Sequence, residues 1–98
     1  MSDVVTLYRA EAPEHRIIEP LDAMTLVYQR RSGITHMVSE PVPQILDMMA
    51  QDSLTAKDIA ARLAAEFDLG SPDEAVAAIT ARLEELAELG LVDRIARA

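Results

Sequence analysis

The chain contains no cysteine, which excludes disulfides, thiolate nucleophiles and Cys-ligated zinc. Histidine is almost as scarce, with His15 and His36 21 residues apart and no ligand-type neighbours around either. The three glycines stand alone at 33, 70 and 90, so there is no Gly-rich loop to cradle a phosphate. Basic residues number 9 against 17 acidic ones, a net charge of −8. Nucleic-acid affinity comes mainly from Lys and Arg against phosphate, so this balance argues against such a partner and against anionic lipid. No apolar run approaches the about 20 residues of a membrane span. The start, Met1-Ser2-Asp3, lacks a basic region followed by a long apolar stretch, so no signal peptide is expected and the cytoplasm is the simplest location.

What remains is 98 residues, half of them hydrophobic, enough for one domain with a thin core. A domain of this size buries roughly 60–65% of its unfolded surface. The sequence changes character near residue 40, from β-branched residues, Pro and Gly to an Ala/Leu/Glu-rich region with helical spacing. Strands first and helices second predict an α+β fold. Residues 4–8 and 15–19 suit strands, the second ended by Pro20, with a turn at 21–23. Residues 24–29 (Met-Thr-Leu-Val-Tyr-Gln) give the strongest strand signal. Arg30-Arg31-Ser32-Gly33 supplies a turn, and residues 34–38 return as the other arm of a hairpin.

Ser39 is placed to cap a first helix, with Pro41 and Pro43 in its opening turn and its end near residues 51–53. Thr55 with Asp58 forms a capping-box variant at the start of a second helix, whose buried stripe is expected at Ile59, Leu63 and Phe67. Ser71, Pro72 and Glu74 start a third helix. Val76, Ile79, Leu83 and Leu86 make its apolar stripe, Gly90 suits the position after its end, and residues 93–98 read as a tail.

The chemistry-bearing candidates are few. No nucleophile, base and orienting group form a recognisable set, so catalysis by this chain alone is not expected. Neither a cofactor nor a metal site is expected. A DNA-reading third helix is argued against by its charges: Asp73, Glu74, Glu84, Glu85 and Glu88 face Arg82 alone. Arg30 and Arg31 at the hairpin tip read as a solvated turn. Asp52-Ser53-Leu54 matches the attachment motif of acyl and peptidyl carrier proteins, which load phosphopantetheine on that serine; a plain loop before the second helix explains it as well. A third possibility is a binding surface. A short sheet leaves unpaired N–H and C=O groups at its edge, where an extended peptide can add as a strand. On the third helix Ala75, Ala78, Arg82 and Glu85 lie on the stripe beside the apolar one. The two alanines allow close backbone approach, or are simply good helix formers.

Strand-turn-strand, a Pro-opened helix, the run Leu54-Thr55-Ala56-Lys57-Asp58-Ile59-Ala60-Ala61-Arg62-Leu63, an acidic turn and a closing Leu86-Ala87-Glu88-Leu89-Gly90-Leu91-Val92 together resemble the PqqD family. These are peptide chaperones of pyrroloquinoline quinone (PQQ) biosynthesis and related recognition elements of ribosomal peptide modification systems. The hairpin Ser32-Gly33-Ile34-Thr35-His36 is similar to a subgroup associated with kinase-like proteins related to HPr kinase. The resemblance covers residues 16–92. It implies a winged-helix-like domain with an N-terminal three-stranded antiparallel sheet followed by three helices; residues 1–15 and 93–98, outside it, are expected to be flexible. It also implies a leader peptide bound as an added strand between the third strand and the third helix, then presented to a modifying enzyme of radical SAM or kinase-like type. Carried onto this chain, one wall of the groove is Ile34, Thr35, His36, Met37 and Val38. The other is Ala75, Ala78, Arg82 and Glu85. His36 fits either a bond that pins the hairpin or a contact to the peptide. The family's basic third-helix residues, which hold acidic leaders, are reduced here to Arg82. The chain itself is expected as a monomer or homodimer.

Overall fold

The computed structural model describes residues 5–50 and 52–97. The expectations for Met1-Ser2-Asp3, for Val4 in the first strand, for a helix end at Gln51 and for Ala98 in the tail lie outside the described residues. The order is β1 (Val5–Ala10), a 3-10 turn (Pro13–His15), β2 (Arg16–Leu21), β3 (Met24–Gln29), β4 (Ile34–Ser39), α1 (Val42–Met48), α2 (Ala56–Leu63), α3 (Pro72–Glu88) and β5 (Val92–Arg97). The class is α+β, with antiparallel sheets and three helices.

Two sheets are present among the described residues. β2, β3 and β4 form one in that spatial order; β1 and β5 form the other. Asp22, at φ 52°, makes the tight turn between β2 and β3, a left-handed position that Asp tolerates. Gly33, at φ 73°, closes the β3–β4 hairpin, its N–H donating to the Gln29 carbonyl at 2.8 Å. Register places Val27 opposite His36 and Thr25 opposite Val38. Alternation then sorts the side chains. Val27, Gln29, Val38 and Arg16 are buried on one face; Ile17, Leu21, Tyr28 and Met37 are exposed on the other.

The helices close the buried face. Ile45, Leu46, Met49, Ile59 and Leu83 are wholly buried around Val27 in one core. Two polar side chains that enter it, Gln29 and Arg16, make hydrogen bonds, although Arg16 Nε itself has no partner. The Gln29 amide donates to Glu11 Oε1 and to the Gly90 carbonyl, both at 2.9 Å, and accepts from Ser32 Oγ at 2.8 Å. Arg16 donates to the backbone carbonyls of Glu11 (2.8 Å) and Leu46 (3.4 Å).

Local cap chemistry sets the helix ends. Thr55 and Asp58 complete a reciprocal capping box. Ser71 Oγ accepts from the Glu74 N–H at 3.3 Å. At the far end of α3, Gly90 (φ 80°) and Leu91 donate to the carbonyls of Ala87 and Leu86, a complete Schellman closure with Leu91 buried.

Several expectations are corrected. Ser39 is not the cap of α1: it ends β4, and Pro41 occupies the cap position without a side-chain bond. α1 stops at Met48, because the chain then turns to run beside β1, where Tyr8 and Leu54 exchange backbone bonds of 2.7 and 2.9 Å. Phe67 is half-buried beyond the end of α2. In α3 the buried stripe is Ala75, Ile79, Leu83 and Leu86, with Val76 only half-buried. The segment read as a tail is β5, which pairs with β1 from Ala10–Val92 to Val5–Arg97. The two ends, expected to be flexible, instead pair as a second sheet beyond the three-stranded one.

Candidate binding groove

β4 is a sheet edge. Among the described residues its one strand partner is β3. In an antiparallel pair successive residues direct their backbone groups alternately toward the partner and away from it. Half of Ile34–Ser39 therefore offers N–H and C=O groups outward. β1, the segment most able to fill that edge, is held elsewhere, between β5 and Leu54.

A groove of about 190 Å3 runs where this edge meets α3. Met24, Met37, Val38 and Ser39 line it from the sheet, Val42 from α1, and Arg82, Glu85, Leu86 and Leu89 from α3. Arg82 and Glu85 are one helical turn apart and pair at 3.0 Å. Both are well exposed, so the pair adds little stability.

Of the nine residues expected at the site, Met37, Val38, Arg82 and Glu85 line this groove. Ile34 and Thr35 are exposed on the same strand, nearer the hairpin tip. His36 lies on the helix-facing side opposite Val27, its Nε2 buried without a hydrogen-bond partner in the structure. Ala78 is exposed one turn before Arg82. Ala75 departs from the expectation: it is buried against α2 and lines a different cavity. Close packing of α2 on α3 favours a small side chain there, so its size serves the core. Met24, Ser39, Val42, Leu86 and Leu89 complete the groove and were not expected at it. Leu86 was assigned to the core stripe, and no local pattern marks the other four.

The second cavity is larger, about 650 Å3, and lies between α2 and α3. Small side chains dominate it, among them Ala60, Ala61, Ala64 and Ala77. It borders no strand edge and so lacks the directed backbone donors that the β4 groove has.

On another flank of α3, Glu84 fastens the β1–β5 sheet. It accepts from the Tyr8 hydroxyl at 2.8 Å and from Arg94 Nε at 2.9 and 3.0 Å. The Arg94 bonds, then the Tyr8 bond, hold the Glu84 carboxyl below the ordinary carboxylate range. Burial, then Glu84, pushes the Tyr8 phenol up. A depressed carboxyl stabilises the fold above the carboxylate range and loses that contribution as pH falls through it. A raised phenol contributes below its ordinary range and loses that contribution as pH rises through it. Glu84→Gln is therefore expected to lower the urea midpoint near neutral pH. The gap from the wild type should close as the solution is acidified. A gap that stays constant with pH would contradict the clasp.

Asp52 is exposed and Ser53 half-buried, and Leu54 is clamped to Tyr8. Ser53 precedes the α2 cap by two residues. No group of three or more His, Asp or Glu side chains suited to a metal ion occurs among the described residues. No described helix is long and apolar enough to cross a membrane. Comparison with known proteins gives no matching family model, no similar curated protein and no similar solved structure.

Proposed function

We propose that this chain is a non-catalytic peptide chaperone. It takes an extended segment of a precursor peptide as an added strand on β4, alongside α3, and presents it to a modifying enzyme in the cytoplasm. The observation that carries this is the open edge of β4 facing a groove on α3. Strand addition uses main-chain hydrogen bonds for affinity and side-chain pockets for selectivity, and the groove offers both. The order of β2, β3, β4 and then three helices supports the winged-helix-like plan implied by the PqqD resemblance; the β1–β5 sheet is additional to that plan. The radical SAM or kinase-like nature of the enzyme partner rests on the resemblance alone. The carrier alternative draws no support from Ser53, which sits in a strand-bearing domain, two residues ahead of a helix cap.

Titrating the labelled protein with a candidate precursor peptide tests the reading. Amide shifts should concentrate in residues 34–39 and 78–89. Shifts confined to the β1–β5 sheet or to the α2–α3 cavity would contradict it.

A further inference from the structure

We propose that the guest of the β4–α3 groove is an extended segment with a large apolar anchor side chain and no net negative charge. This deepens the strand-addition reading and rests on it.

The lining of the groove carries the inference. Six of its nine residues are apolar, Met24, Met37, Val38, Val42, Leu86 and Leu89, and the well-exposed ones among them are Met37 (62%) and Leu89 (51%). Ser39 is neutral, and the remaining two, Arg82 and Glu85, neutralise each other at 3.0 Å. Arg82 is the one basic residue of α3. The Glu85 carboxylate beside it offsets its field, so the two together offer little net attraction for an acidic guest. Glu88 is the next acid along this end of the helix and Glu40 follows β4 directly, while Glu84 lies on another flank paired with Arg94, and Arg30 and Arg31 lie at the opposite end of β4, at the hairpin tip. The whole chain carries −8. An acidic segment approaching this edge meets repulsion, whereas a neutral or basic one does not.

Shape adds the anchor. A volume of about 190 Å3 has room for one large side chain. Met24 and Met37 flank the opening, and methionine adapts to aliphatic and aromatic partners alike. An added strand alternates its side chains. One set points at Leu86 and Leu89, and the other lies on the exposed sheet face beside Met37. The guest should therefore show apolar residues two apart, with Lys or Arg rather than Asp or Glu between and around them.

Selecting short random-sequence peptides displayed against the immobilised full chain tests this. Enriched peptides should share an apolar alternation and a net charge of zero or above. Replacing the basic residues of a selected peptide by Glu should weaken binding about tenfold at low salt, and added salt should narrow that gap. Met37→Glu, at an exposed position, should abolish binding, while Arg82→Ala, which leaves the Glu85 carboxylate unpaired, should tighten binding of a basic peptide about twofold or more at low salt. Acidic enriched peptides whose binding is lost on Arg82→Ala would overturn the inference and leave strand addition standing. Enriched peptides that bind Met37→Glu as well as the wild type, or no enrichment at all, would overturn both. A concentration-dependent dimer that seals β4 against peptides would do the same, assigning the edge to a second copy of the chain.

Discussion

Leu83→Ala is expected to lower stability by about 3 kcal/mol. Leu83 is wholly buried at the middle of α3, in the stripe that faces the core. Truncating a buried leucine loses its transfer free energy and leaves a cavity, with costs of about 2–5 kcal/mol. A domain with about 5–15 kcal/mol in total loses a large share of its margin. For a chain of this length the melting temperature should fall by roughly 10–25 °C. Leu89→Ala, at the residue that caps the C-terminal end of the same helix, serves as the control. Leu89 is 51% exposed, and its replacement should cost less than about 1 kcal/mol. Urea titrations decide it, with equal slopes and a midpoint shift confined to Leu83→Ala. Equal midpoints for the two variants would mean that α3 does not pack by the stripe described.

The second large effect is on binding. Thr35 and His36 are neighbours on β4, so one amide points to β3 and the other to the open edge. Proline removes the amide in either case. At the position that donates to β3 it breaks a ladder bond, and stability should fall by about 1–3 kcal/mol. At the outward position the fold should persist and guest affinity should fall at least about tenfold, because one intermolecular backbone bond is lost and the ring crowds the incoming strand. Melting curves and peptide affinities, measured on both variants, separate the two effects. Two variants that fold and bind like the wild type would remove strand addition from consideration.

Much of this architecture is readable from local chemistry. The hairpin is legible because residues 24–29 and 34–38 are β-formers around a turn that needs the positive φ of Gly33. The bounds of α3 are legible because Ser71, Pro72 and Gly90 act within a few residues of themselves. β5 is hidden for the opposite reason. Its charged residues Asp93, Arg94 and Arg97 form a strand only because β1, from the far end of the chain, supplies the partner. Its clasp, Glu84, is legible in the sequence only as one of five acids on the third helix that argue against DNA reading.

The groove divides in the same way. The helical repeat puts Arg82 and Glu85 on the stripe beside the core, whereas Met37 and Val38 are expected at the groove through the PqqD resemblance. Met24 and Leu89 join them only through the angle at which α3 crosses the sheet, which no local pattern encodes. Ala75 was assigned to the groove because it sits beside the large apolar residues of the helix. Its burial depends on how near α2 comes, and small residues are where such closeness is hardest to read.

Hydrogen exchange at the amides of Ile34–Ser39 tests most directly whether β4 lends its edge to a guest. In the free chain, residues bonded to β3 should exchange slowly and their neighbours fast, in alternation. Saturating guest peptide should slow the fast set and leave the slow set in place. Slow exchange at all six positions without a guest, or a fast set that no bound peptide protects, would contradict the account.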